Sequence, residues 1–152
     1  MSAPGHHGFL LSEESIDRFL GAFFDHTLAK AEWTHSAHVT LAAALLYESE
    51  VASVLPRVRR AIWSYNEAVG TRNTDTSGYH ETLTIFWLRV VEQKLFQLQA
   101  GSRLEGVRGV VAAYGEERAL HKLYYSTDMV NDTAARREWM EPDLLTLPCH
   151  SG

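Results

Sequence analysis

Apolar residues recur at three- and four-residue intervals along most of the chain, and this spacing predicts helices rather than strands. In the first run Ile16, Phe19, Leu20, Phe23 and Phe24 fall on one side. Ser12 precedes them as a cap, and Glu13 and Glu14 occupy the first turn, where the helix dipole favours carboxylates. That helix is expected to end between His26 and Lys30. Thr34 caps a second predicted helix over about 35–49. A third runs from Val51 to Val69 on the spacing of Leu55, Val58, Ile62, Tyr65 and Val69, with Gly70 closing it. The stretch TRNTDTSG, 71–78, is turn chemistry.

A fourth helix is predicted from Gly78 or Tyr79 to about Ala100, with Leu83, Phe86, Trp87, Val90, Val91, Leu95 and Leu98 as its apolar side. A fifth, 103–114, carries Leu104, Val107, Val110 and Val111 and stops at Gly115. A sixth over 116–126 and a short one over 132–140 follow, then an extended tail with Pro142 and Pro148. No alternating strand pattern, repeat or low-complexity stretch interrupts this series. The fold class is therefore all-α, a four-helix-bundle-like core with additional short helices and an extended C-terminal tail. Residues 1–11 and 148–152 are expected to be flexible tails.

Composition narrows the functional classes. With 152 residues, 45% of them hydrophobic and 22% charged, the chain is expected to form one helical domain with a core of its own. A formal charge of −5 with scattered basic residues argues against nucleic acid as a partner. The basic run RVRR, 57–60, reads as the solvated side of an amphipathic helix. The single cysteine, Cys149, cannot form an internal disulfide and has no nucleophile pattern around it. No signal peptide is legible at the start, and no window approaches the ~18 apolar residues of a membrane span. The expected setting is cytoplasmic, with a small-molecule substrate and no membrane partner; a homodimer stays open.

The candidate chemistry lies in two stretches. EWTHSAH places His35 and His38 three residues apart at the head of a run that otherwise reads as buried helix, so both imidazoles share a face that continues through Ala42 and Leu45. SGYHETLTIFW places His80 on one stripe with Thr84 and Trp87, in the first turn of its helix, where the dipole disfavours imidazolium. Gly78 and Glu81 also have cap-to-N3 spacing. If the second and fourth helices run parallel, their starts lie at one end, and His35, His38 and His80 converge with Glu81 or Glu32 beside them. Such a set suits a divalent transition metal (iron, copper or zinc) and, with a carboxylate, matches the ligand types of non-haem iron oxygenases.

In this reading the three histidines hold the metal. Glu81, Tyr79 or Asn66 orients substrate or moves protons, and Trp87, Thr84 and Ala42 form the pocket wall. A metal-dependent enzyme on a small organic molecule, with iron or copper oxygenase or oxidase chemistry ahead of zinc hydrolysis, is the expected function. The alternatives are a metal-binding or storage protein without catalysis and a metal-free small-molecule binding module. His26 reads as a helix-end residue and His121 as part of a packed seam with Tyr124 and Tyr125; Trp33, Trp63 and Trp139 read as core aromatics. His6, His7 and His150 lie in the tails. No phosphate loop, nucleophile elbow, Cys-x-x-Cys or Glu-x-x-His pair supports nucleotide hydrolysis, acyl transfer or a di-iron carboxylate centre.

The ordered set EWTHSAH, YNEAVGTRNTDTSGYHETLT and LYYSTD…PDLLTLP resembles a family of small bacterial all-helical proteins marked by WTHxxH and GYHET motifs. The likeness spans about residues 19–148 and implies no particular activity. In architecture alone the chain is similar to DinB-type bundles, small helical proteins with a three-histidine metal site. Those place a His-x-x-x-His pair on a late helix, whereas this chain has His-x-x-His on an early one.

Overall fold

The computed structural model describes residues 12–147. The expected tails, with Cys149, His6, His7, His150 and Pro148, lie outside the described residues. Within them the chain is all-α: α1 (Glu13–Phe24), α2 (His35–Leu46), α3 (Val51–Ala68), α4 (Glu81–Leu98), α5 (Arg103–Tyr114) and the short α6 (Thr133–Arg137). Three 3-10 turns, Lys30–Glu32, Leu120–Leu123 and Met129–Asn131, fill the connections. No strand occurs among the described residues, and none of their helices is long and apolar enough to cross a membrane.

Capping explains most helix starts. The hydroxyls of Ser12, Thr34 and Ser102 accept from the backbone N–H three residues on, at Ser15, Ala37 and Glu105. The start of α3 has no such side chain of its own. Glu92 of α4 accepts from the Val51 N–H at 2.9 Å instead. Glu13 links the starts of α1 and α5 by accepting from both the Arg103 side chain and the Leu104 N–H.

α2 is apolar on nearly every side, with Ala37, Val39, Leu41, Ala42, Ala43, Ala44 and Leu46 all buried. A helix of that kind belongs at the centre of a bundle, and α2 packs against α3, α4 and α5. α4 is shared between two cores. Leu88 and Val91 join the main core of α1, α2, α3 and α5, while Phe86 and Val90 join a second with Tyr125, Met129, Ala135 and Leu147. The extended tail is tied to α4 by buried Thr82, whose hydroxyl donates to the Glu138 carbonyl and accepts from the Met140 N–H.

The boundaries depart from the sequence reading in five places. α1 stops at Phe24, because His26 turns left-handed at φ 68° and the Thr27 and Leu28 N–H groups close onto the Ala22 carbonyl. α2 ends at Leu46 rather than Ser49. α4 begins at Glu81, so the Gly78–Glu81 capping pair does not form. The predicted sixth helix is a 3-10 turn held by bonds such as Lys122 N–H to Ala119 carbonyl, and the predicted 132–140 helix is only Thr133–Arg137. In both, the chain must turn so that Tyr125 and Ala135 reach the second core, which a continued helix would prevent.

Candidate functional site

The starts of α2 and α4 lie at one end of the bundle. Together with the last turns of α3 and the 118–122 segment they enclose an open cavity of about 890 Å³. Its walls are mainly apolar and aromatic: Trp33, Leu41, Val58, Ile62, Leu83 and Trp87. His35, His38, His80, Asn66 and Tyr79 all border it, as do Thr84 and Ala42. Glu81 does not.

Each imidazole is fixed by a backbone group. His38 Nδ1–H donates to the Thr34 carbonyl at 2.7 Å, and the Trp33 indole stacks on the ring at 3.7 Å between centroids. Its Nε2 is then the unprotonated nitrogen. His35 Nε2–H donates to the Tyr114 carbonyl at 3.0 Å, with Trp87 edge-on to the ring at 4.7 Å, which leaves Nδ1 unprotonated. A carbonyl can only accept, so these bonds select the tautomers.

His80 is different. It is the N-cap of α4: Nδ1 accepts from the Leu83 N–H at 3.1 Å, and Nε2–H donates to the buried Met129 carbonyl at 2.7 Å. Both ring nitrogens are committed, so the ring presents no lone pair to the cavity.

The predicted acid–base residues are committed as well. Glu81 accepts two hydrogen bonds from Arg59, at 3.0 and 2.6 Å, and one from the Tyr79 hydroxyl at 2.7 Å. Burial raises its pKa, but the bonds from Arg59 and Tyr79 outweigh that and hold the carboxyl below its ordinary value. Tyr79 is pushed well up, first by burial and then by the bond to Glu81, and keeps its proton. Asn66 Nδ2 donates to Asn73 Oδ1 at 3.0 Å. The same oxygen accepts from the Tyr79 N–H, so Asn66 braces the 71–78 loop from the cavity floor.

A transition metal on His35, His38, His80 and Glu81 therefore does not fit the donors as they stand. Among the described residues no group of three His, Cys, Asp or Glu side chains is arranged to hold a metal ion. What the cavity offers is two neutral imidazole nitrogens, His35 Nδ1 and His38 Nε2.

Burial lowers the pKa of His35, against the bond to Tyr114, and nearby Arg118 and His121 add to the fall. His38 is lowered to about 4, again chiefly by the surrounding protein, opposed by the Thr34 bond and assisted by His35 and Arg118. The residue is also partly open to solvent, and its ring is neutral at pH 7.

Two contributors are not legible in the sequence. Trp33 is a cavity wall as well as a core aromatic, lying between Phe23 and His38. His121 is not part of a surface seam: it is 6% exposed and borders the cavity, and its Nδ1 has no hydrogen-bond partner. Burial lowers its pKa, opposed by the Arg118 backbone beside the ring. The i, i+3 and i, i+4 spacing to Tyr124 and Tyr125 misleads because the segment is a 3-10 turn. His26 lies outside the cavity, its ring near Tyr65.

In comparisons with protein-family models, with curated proteins and with solved structures, nothing matches this chain.

Proposed function

We propose that this chain holds a small organic molecule in the cavity between the starts of α2 and α4, and that His35 and His38 meet it with unprotonated ring nitrogens. The observation that carries this reading is the pair of backbone bonds, to Tyr114 and Thr34, that aligns two neutral acceptors in an apolar-walled space of about 890 Å³. Neutral imidazoles in such a place accept a hydrogen bond from a ligand hydroxyl or amine, or take its proton. Trp33 and Trp87, each against one of these rings, bury the apolar part of the ligand.

The test uses N-phenyl-1-naphthylamine, a neutral apolar fluorophore. Saturable one-to-one binding, lost in Ala42→Phe with unchanged circular dichroism, is expected. Absence of saturable binding, or binding untouched by Ala42→Phe, overturns the reading.

A second reading has one observation in its favour. A ring N–H fixed on a backbone carbonyl is how metal-bound histidines are oriented, and His35 and His38 both have that bond. A divalent iron, copper or zinc ion held by these two, with a metal-dependent oxidoreductase or a storage protein as the outcome, is tested by elemental analysis of untagged protein beside His35→Ala/His38→Ala. Near-stoichiometric metal that disappears in the folded variant supports it. No retention after anaerobic loading with each metal rules it out.

A further inference from the structure

The cavity is lined by Lys30, Arg118 and Lys122 and by the four imidazoles of His35, His38, His80 and His121, and by no Asp or Glu. The chain as a whole has the opposite bias, 19 acidic residues against 14 Lys and Arg. Elsewhere Arg59, Arg103 and Arg137 are ion-paired with Glu81, with Glu13 and Asp17, and with Asp75. Arg118, Lys30 and Lys122 make no ion pair among the described residues. Arg118 lies close enough to act electrostatically on both His35 and His38.

Two carboxylates act on these rings from outside the lining. Asp128 acts on His121 but accepts from Asn131 Nδ2 at 2.7 Å, and Asp132 acts on His80 but caps α6 through the Ala135 N–H. Neither borders the cavity. The starts of α2 and α4 add the positive ends of two helix dipoles.

We infer that the ligand is an organic monoanion, an apolar or aromatic body bearing a carboxylate, whose charge lies against Arg118, Lys122 and Lys30 while its body fills the space between Trp33 and Trp87. The inference rests on the reading of the cavity as a small-molecule site. A guanidinium can grip a carboxylate through two parallel hydrogen bonds. With no carboxylate on the lining, an organic cation meets only like charge, whereas an anion gains the attraction of three exposed cations at the cavity rim.

The experiment titrates matched acids and amides into the full chain and reads tryptophan emission: benzoate with benzamide, octanoate with octanamide, indole-3-acetate with its amide. The acids are expected to bind at least tenfold more tightly than their amides. That preference should fall toward unity in Arg118→Gln/Lys122→Gln/Lys30→Gln and in 0.5 M salt, and persist in Arg60→Gln, an exposed α3 control.

Equal binding of acids and amides, or a preference that survives the triple variant, overturns the inference and leaves the cavity reading intact. So does binding of N-phenyl-1-naphthylamine with no member of any pair binding. Competition by inorganic phosphate as strong as that of the acids also overturns it, because the apolar body then contributes nothing. If neither the pairs nor N-phenyl-1-naphthylamine bind, both readings fail.

Discussion

His80 shows how one residue can satisfy a sequence pattern for a reason other than chemistry. A histidine at a helix start, on an inward stripe, is what a metal site needs. It is also what a helix cap and a tertiary strut need. The Leu83 N–H and the Met129 carbonyl take both nitrogens, so the ring ties the start of α4 to the 129–131 turn. Replacing it leaves a helix N–H and a buried carbonyl unpaired. His80→Ala is expected to destabilise the fold by about 2–4 kcal/mol in urea titrations, the sum of a lost cap and an orphaned acceptor. His80→Asn, which restores the cap but does not reach Met129, should recover about 1 kcal/mol of that. A loss below 0.5 kcal/mol in both variants counts against this role.

At the scale of elements, the cavity depends on how the chain travels from α3 to α4. Gly70 and Gly78 bracket the polar loop, both at positive φ, 83° and 79°. Their surroundings differ. A Cβ on Gly70 meets nothing within 4 Å, whereas one on Gly78 would stand 2.5 Å from Asn73 Oδ1 and 2.6 Å from the Arg72 carbonyl. That Asn73 oxygen is the acceptor for both Asn66 and the Tyr79 N–H. Gly70→Ala should therefore show only the left-handed backbone penalty, about 1 kcal/mol. Gly78→Ala adds a clash at the hub of the loop and is expected to lose about 3 kcal/mol or more and to loosen the cavity floor. Thermal melts of the two variants order them; a larger effect at Gly70 would refute this account of the loop. The guanidinium of Arg136 reinforces the same junction by donating to the Gly78 and Val130 carbonyls.

For the molecule as a whole, the consequence of gathering imidazoles around one cavity is a dependence of stability on pH. His35, His38, His80 and His121 all have lowered pKa values, with burial the largest cause in each. In the unfolded chain they take up protons near 6.5; in the folded protein they do so at lower pH, about 4 for His38. Between these values the unfolded chain binds more protons. Stability is therefore fully present above pH 6.5 and declines as pH falls toward 4. Urea midpoints of metal-free protein at pH 7.5, 6 and 5 should fall in that order, and less steeply in His38→Gln. A midpoint that is flat or rises on acidification contradicts the neutral state of these rings.

The all-α class, the cap residues Ser12 and Thr34, the extent of α3 and α5, and the presence of a polar loop before His80 follow from local physics. Cap hydroxyls, apolar spacing and glycine act over a few residues, so they can be read from a few residues. Local spacing also places His35 and His38 on the early helix and Trp87, Thr84 and Ala42 on the inward stripes that border the cavity. What each polar atom does there was decided only in three dimensions. Glu81 is taken by Arg59, 22 positions away, and His80 by Met129, 49 away; no local pattern carries partners so distant in sequence. His121 and Arg118 enter the site because a predicted helix is a turn, and its path was set by Tyr125 packing on Phe86 in the second core. Sequence spacing brings side chains to a common wall, but tertiary hydrogen bonding determines which of them still has a lone pair or a charge to offer.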